Sequence, residues 1–160
     1  FGAGAACVDT GGYGGSSWAL IESYRSGSVR GEEDPYLKEL GRRFGEWGIP
    51  TAVSVFEVAQ CGGPVLASGG IRSGIDIAKA LVIGANLAGM ALPLLKSACK
   101  GSDALRETIR IIHQELRISM FLTGKTRISD LPQARWYLTG KTREMIEKSS
   151  RRRQNWTLRS

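Results

Sequence analysis

Ser68-Gly69-Gly70-Ile71-Arg72-Ser73-Gly74-Ile75-Asp76 is the stretch whose reading decides the fold. Just ahead of it, Pro64-Val65-Leu66-Ala67 is a short, continuous apolar run, the pattern of a strand buried on both faces. Just behind it, Ile77, Leu81 and Val82 recur at helical spacing until Gly84, and Asp76 falls in the first turn, where a negative charge suits the helix dipole. A strand, two glycines and a helix start within a few residues form an anion cradle. Glycine lets the backbone take positive φ and lets an anion approach N–H groups with no Cβ in the way. The helix start offers unpaired N–H donors. Arg72 adds a cation able to make two parallel hydrogen bonds to a phosphate. A tight structural turn would account for Gly69-Gly70 alone; the whole string, with Arg72, Asp76 and Gly89 in register, favours phosphate.

Working outward, the next unit is a strand over Asn86–Ala91, ending in Gly89-Met90-Ala91-Leu92-Pro93. In a (β/α)8 barrel the loops after the seventh and eighth strands commonly build one phosphate site, and two successive strand ends match that arrangement. Upstream, Ala5-Ala6-Cys7-Val8-Asp9 is a short strand ending in a carboxylate. Glycines at 11, 12, 14 and 15 follow it, and then Ser16-Ser17 as caps for a helix beginning near Trp18. Asp9 stands at a strand's C-terminal end, where it is either a working carboxylate or one that satisfies turn amides. Trp18 either lines an apolar substrate chain or packs its helix, and packing is the reading preferred. Residues 25 to 36 are polar and read as an exposed loop, after which Leu37, Leu40 and Phe44 share a helical face. Thr51–Ala59 has the β-branched content of a strand. The alternation of strands and helices implies a parallel α/β sheet.

From Asp103 the pattern changes. Leu105, Ile109, Ile112, Leu116 and Met120 mark one amphipathic helix that Gly124 ends. Its His113, the single histidine, reads as a packing or partly exposed residue. Ser129 caps a helix expected to end near Gly140, with a short helix after it. Residues 1–148 then form the α/β part with its terminal helices, and 149–160 a basic, disordered tail.

The chain has 160 residues, 42% hydrophobic and 23% charged, as in an ordinary globular protein. No apolar run reaches the roughly 18 residues of a membrane span. The first residues carry no positively charged leader and no starting Met, and read as a chain opening mid-domain. Cys7, Cys61 and Cys99 stand far apart, an odd count without metal spacing, and read as ordinary buried or half-buried thiols in a reducing, cytoplasmic setting. The formal charge is +7, of which Arg151, Arg152, Arg153 and Arg159 supply four. Nucleic-acid binding would call for basic residues interleaved with aromatics along one surface. Trp156 beside the arginines is only a faint version of that, so neither a nucleic acid nor a membrane is expected as partner.

The string from Gly69 to Ala85 resembles the FMN-binding half of several barrel enzymes, among them 2-hydroxy-acid oxidases, inosine-monophosphate dehydrogenases and type 2 isopentenyl-diphosphate isomerases. Three further segments resemble the type 2 isomerases in particular: Asp9-x-x-Gly12-x-Gly14-Gly15-Ser16-Ser17-Trp18-Ala19-x-Ile21-Glu22, Trp47-Gly48-Ile49-Pro50-Thr51, and Gly89-Met90-Ala91-x-Pro93. The resemblance implies the C-terminal part of a TIM (β/α)8 barrel, about its last three βα units, followed by C-terminal helices. It makes Thr51–Ala59 a helix. It implies that Gly70, Ile71, Arg72, Ala91 and Leu92 bind the FMN phosphate, and that Gly11 and Ser16 lie at the flavin. Ser16 stands where the family usually has Thr. The implied reaction interconverts isopentenyl diphosphate and dimethylallyl diphosphate, with reduced FMN, Mg²⁺ and NAD(P)H as reductant, in a homo-oligomer acting on a small diphosphate. The family's catalytic Gln and Mg²⁺-binding Glu lie upstream of this region, so no catalytic or metal-ligating residue is expected here. The alternatives are another FMN-dependent barrel oxidoreductase, such as a 2-hydroxy-acid oxidase, and a non-enzymatic phosphate- or nucleic-acid-binding fragment.

Overall fold

The structure, a computed structural model, describes the backbone of residues 1–30 and 34–157 and the side chains of 1–25 and 34–150. Three short strands, β1 (Val8–Asp9), β2 (Val65–Ala67) and β3 (Leu87–Ala88), form a parallel sheet in the order β1-β2-β3. Val8 pairs with Val65 and Asp9 with Leu66; Leu66 pairs with Leu87 and Ala67 with Ala88. This register brings the C-terminal ends of all three strands to one edge, where Gly-rich turns leave each of them. Asn86 steadies the β2–β3 pair, accepting from the Val65 N–H through its side chain (2.8 Å) and donating its own N–H to the Val65 carbonyl (2.8 Å).

Helices α1 (Trp18–Arg30), α2 (Pro35–Arg43) and α3 (Thr51–Ala59) connect β1 to β2, and α4 (Gly74–Val82) connects β2 to β3. Thr51–Ala59 is a helix although five of its nine residues are β-branched or aromatic. Burial of Val53 and Val55 against the sheet side decides the matter over propensity. Val55, Val65, Ala67, Ile71, Ala80 and Ala85 form the core between α3, the sheet and α4.

After β3 come α5 (Leu92–Ala98), α6 (Ser102–Leu122), a 3₁₀ turn (Ile128–Gln133) and α7 (Gly140–Thr157). α6 covers α4 and α5, and α7 lies against α3. At the α4–α6 crossing a Cβ on Gly74 would come within 2.1 Å of the Ile112 carbonyl oxygen, so only glycine permits this approach.

Several expectations are corrected. Residues 25–30, expected in a loop, continue α1, because a nucleated helix gains one hydrogen bond for each residue added; 31–33 lie outside the described residues. The helix expected from Ser129 to Gly140 is only the 3₁₀ turn, since Pro132 lacks the N–H that an α-helix needs there. Residues 149–157, expected as disordered tail, extend α7, which is anchored by buried Ile146; 158–160 lie outside the described residues. All three cysteines are exposed, not buried. Among the described residues no helix is long and apolar enough to cross a membrane.

Candidate functional site

The turns at the C-terminal ends of the strands enclose an open concavity of about 710 Å³. The seven residues singled out from the sequence, Gly11, Ser16, Gly70, Ile71, Arg72, Ala91 and Leu92, all line it. Strand pairing does this: β1, β2 and β3 are adjacent and parallel, so the turns after them face one another although the residues are up to 81 positions apart.

The first turn is built by Asp9. Its carboxylate accepts from the Gly11 N–H (3.0 Å) and from the Ser68 hydroxyl at the end of β2. Of the two readings left open for Asp9, the structure supports a carboxylate that satisfies its turn. Ser17 caps α1 by accepting from the Leu20 N–H (3.3 Å), which leaves the Ser16 hydroxyl on the concavity.

The second turn needs glycine for a reason the sequence did not display. Gly69 and Gly70 have φ of +96° and +82°. A Cβ on Gly69 would lie 1.9 Å from the Gly12 carbonyl oxygen, and one on Gly70 would lie 2.1 Å from that of Gly14. Two Gly-rich turns therefore interlock backbone to backbone. The Gly12 N–H donates to the Ser68 carbonyl (3.0 Å) and the Arg72 Nη2 to the Gly14 carbonyl (3.2 Å).

Most of the donors expected at the helix start are already taken. In α4 the Asp76 N–H is capped by Ser73 Oγ (3.1 Å), the Gly74 N–H donates to Glu115 of α6 (2.6 Å), and the Arg72 N–H donates to the Asp76 carboxylate (3.1 Å). On the concavity, the amides of Gly70, Ile71 and Ala91 have no hydrogen-bond partner among the described residues. Arg72 is exposed and has no carboxylate partner among them. These three amides, together with a guanidinium that no carboxylate neutralises, suit an oxyanion of high charge on one concavity. The Gly70 and Ile71 amides thus sit four and three residues upstream of α4, not on it.

Other lining residues were not singled out, or were read differently. Trp18 is 77% exposed and lines the concavity, which corrects its reading as helix packing; Trp47, 83% exposed, lines it as well and tilts against Phe44 at 5.8 Å. Met90 supplies apolar wall from the β3 turn. The only signal for Trp47 was its place in the Trp47–Thr51 string. His113 is exposed on α6 and outside the concavity.

Comparison with known proteins places the chain in a family. The model of the family described as FMN-dependent dehydrogenase matches residues 48–138. Among curated proteins the chain is 54% identical over 145 residues to the isopentenyl-diphosphate delta-isomerase of Methanoregula boonei, covering 91% of this chain and 40% of that protein. It is 51% identical over 141 residues to that of Methanothrix thermoacetophila (88% and 38%) and 44% identical over 145 residues to that of Halobacterium salinarum (91% and 39%). The chain thus spans about 40% of the length of the relatives it matches. Among solved structures it is similar in fold to a flavocytochrome b2 variant with sulfite bound, at 22% identity and a TM-score of 0.51, over 78% of this chain and 33% of that one. A parallel strand core with C-terminal helices, consistent with part of a TIM-barrel-like fold, is common to both. The chain therefore belongs to the FMN-dependent dehydrogenase family and, within it, is homologous over most of its length to the isopentenyl-diphosphate delta-isomerases.

Proposed function

We propose that this chain supplies the FMN-phosphate cradle and part of the flavin site of an enzyme that interconverts isopentenyl diphosphate and dimethylallyl diphosphate with reduced FMN, and that it forms the last three βα units of a (β/α)8 barrel. One observation carries this reading: the unpaired amides of Gly70, Ile71 and Ala91 and the guanidinium of Arg72 line a single concavity. Leu92 opens α5 beside Ala91, and its own N–H, in the first turn, adds a further donor. Gly11 and Ser16 line the same concavity, where the Ser16 hydroxyl is available to a flavin ring. Trp18, Trp47 and Met90 supply apolar surface that excludes water from a hydrocarbon chain.

When bound, reduced FMN supplies the proton-transfer chemistry of the double-bond shift, and the protein orients it. The residues of this chain hold its phosphate and fix the turns around it. Mg²⁺, NAD(P)H as reductant, a small diphosphate substrate, a homo-oligomeric assembly and a cytoplasmic location follow from the resemblance alone. Among the described residues no three His, Cys, Asp or Glu gather as a metal site, so no step is assigned to a metal here.

The test compares FMN with riboflavin, which lacks the phosphate, on apoprotein of the full chain. Arg72→Ala is expected to weaken FMN by about tenfold to a hundredfold, the range for a charge-assisted hydrogen bond, and to leave riboflavin unchanged. Equal effects on both ligands would refute the phosphate reading. The second reading, an FMN-dependent oxidoreductase, is favoured by the description of the matching family. Oxidation of a 2-hydroxy acid by the protein, without isomerisation of isopentenyl diphosphate, would select it.

A further inference from the structure

Thr51 opens α3 within the Trp47–Thr51 string and lies outside the main concavity, against its back wall. Its hydroxyl donates to the Gly69 carbonyl at 2.5 Å. It is wedged between the two Gly-rich turns: a Cβ on Gly14 would lie 2.7 Å from Thr51 Oγ1 and 2.7 Å from the Gly69 oxygen. The backbone on either side is pinned as well, because the Tyr13 N–H donates to the Ile49 carbonyl (2.8 Å) and the Thr51 N–H to the Tyr13 carbonyl (3.3 Å).

The Gly69 carbonyl and the Gly70 N–H belong to one planar peptide. It is trans, so they point in opposite directions. The surroundings agree. Gly14 lies against the Gly69 oxygen and lines the rear cavity, whereas Gly15 lies against the Gly70 nitrogen and lines the front concavity. Glycines on both sides of the bond leave this peptide freer to rotate than any other in the turn.

We propose that Thr51 is a positioning residue for the phosphate site: by anchoring the Gly69 carbonyl at the rear, its hydroxyl aims the Gly70 N–H into the concavity. This rests on the phosphate reading of that concavity. Without the hydroxyl the peptide flips part of the time, and the cradle loses one amide donor.

The experiment titrates apoprotein of the full chain with FMN and with riboflavin for Thr51→Val, Thr51→Ser and, beside them, Arg72→Ala. Thr51→Val keeps the shape and removes the donor. It is expected to weaken FMN by about tenfold and riboflavin by no more than about twofold, the size of one neutral hydrogen bond. Thr51→Ser, which keeps the donor, is expected to restore FMN binding. Equal weakening of both ligands by Thr51→Val, no weakening, or failure of Thr51→Ser to restore binding overturns the proposal. If Arg72→Ala discriminates between the ligands and Thr51→Val does not, only the role of Thr51 falls. If neither discriminates, the phosphate reading falls with it.

Discussion

Gly70 meets two demands that no residue type with a side chain meets together. Its φ of +82° is costly for any side chain, and a Cβ there would lie 2.1 Å from the Gly14 carbonyl oxygen. The contact is with backbone, so no rotamer change relieves it. Gly70→Ala is therefore expected to lower stability by about 2 kcal/mol or more, from the left-handed strain and the overpacking together. Urea unfolding of the full chain would show this as a lower midpoint. A midpoint equal to wild type would mean that the turns do not interlock as described. Arg72 differs in kind. It holds only the Gly14 carbonyl, so its removal touches a ligand contact more than the fold.

Among the elements, α2 shows how little of the surface charge concerns the site. Glu39 accepts from Arg42 and Arg43 at 2.9 Å, and these hydrogen bonds lower its carboxyl from 4.5 to about 2. A lowered folded-state value means that the stabilisation is present above 4.5 and is lost as the pH falls towards about 2. The group is exposed, so the effect is small and screened by salt. The difference in helix content between wild type and Glu39→Gln is expected to favour wild type above 4.5 and to vanish towards pH 2. Subtracting the two curves cancels whatever is common to both proteins, including the cap that Asp34 places on the Tyr36 N–H of the same helix. Circular dichroism reads it directly, and superimposable curves would count against the pairing.

For the whole molecule the decisive feature is a sheet open at both sides. Among the described residues β1 and β3 each pair on one side only. Phe121, Leu122 and Tyr137 are 81%, 76% and 77% exposed near the C-terminal helices. A complete (β/α)8 barrel takes about 250 residues and has no edges. The 160 residues alone are therefore expected to give no isomerisation of isopentenyl diphosphate and to associate with rising concentration. Product formation together with a monomeric sedimentation profile would contradict this.

Helix α3 was legible only by resemblance, but the strands β1 to β3, the helices α1, α2, α4 and α6, the cap at Ser17 and the end of α6 at Gly124 were legible in the residues. Each of these features depends on neighbours three or four positions away, which sequence displays directly. So was the family, because its strings include the turn residues themselves. The concavity's membership was legible only by resemblance, and its hydrogen bonding not at all. Nothing local to Gly74 indicates that Glu115, 41 residues on, occupies its N–H. Nothing local to Gly70 indicates that its missing side chain makes room for Gly14. The extent of α7 and the shortness of the 3₁₀ turn also depended on packing. Sequence alone determined which backbone segments turn, and with what residue types. Only the tertiary structure decided which amides stay free for a ligand, because a donor is free only when no distant segment reaches it, and strand register sets which segments reach.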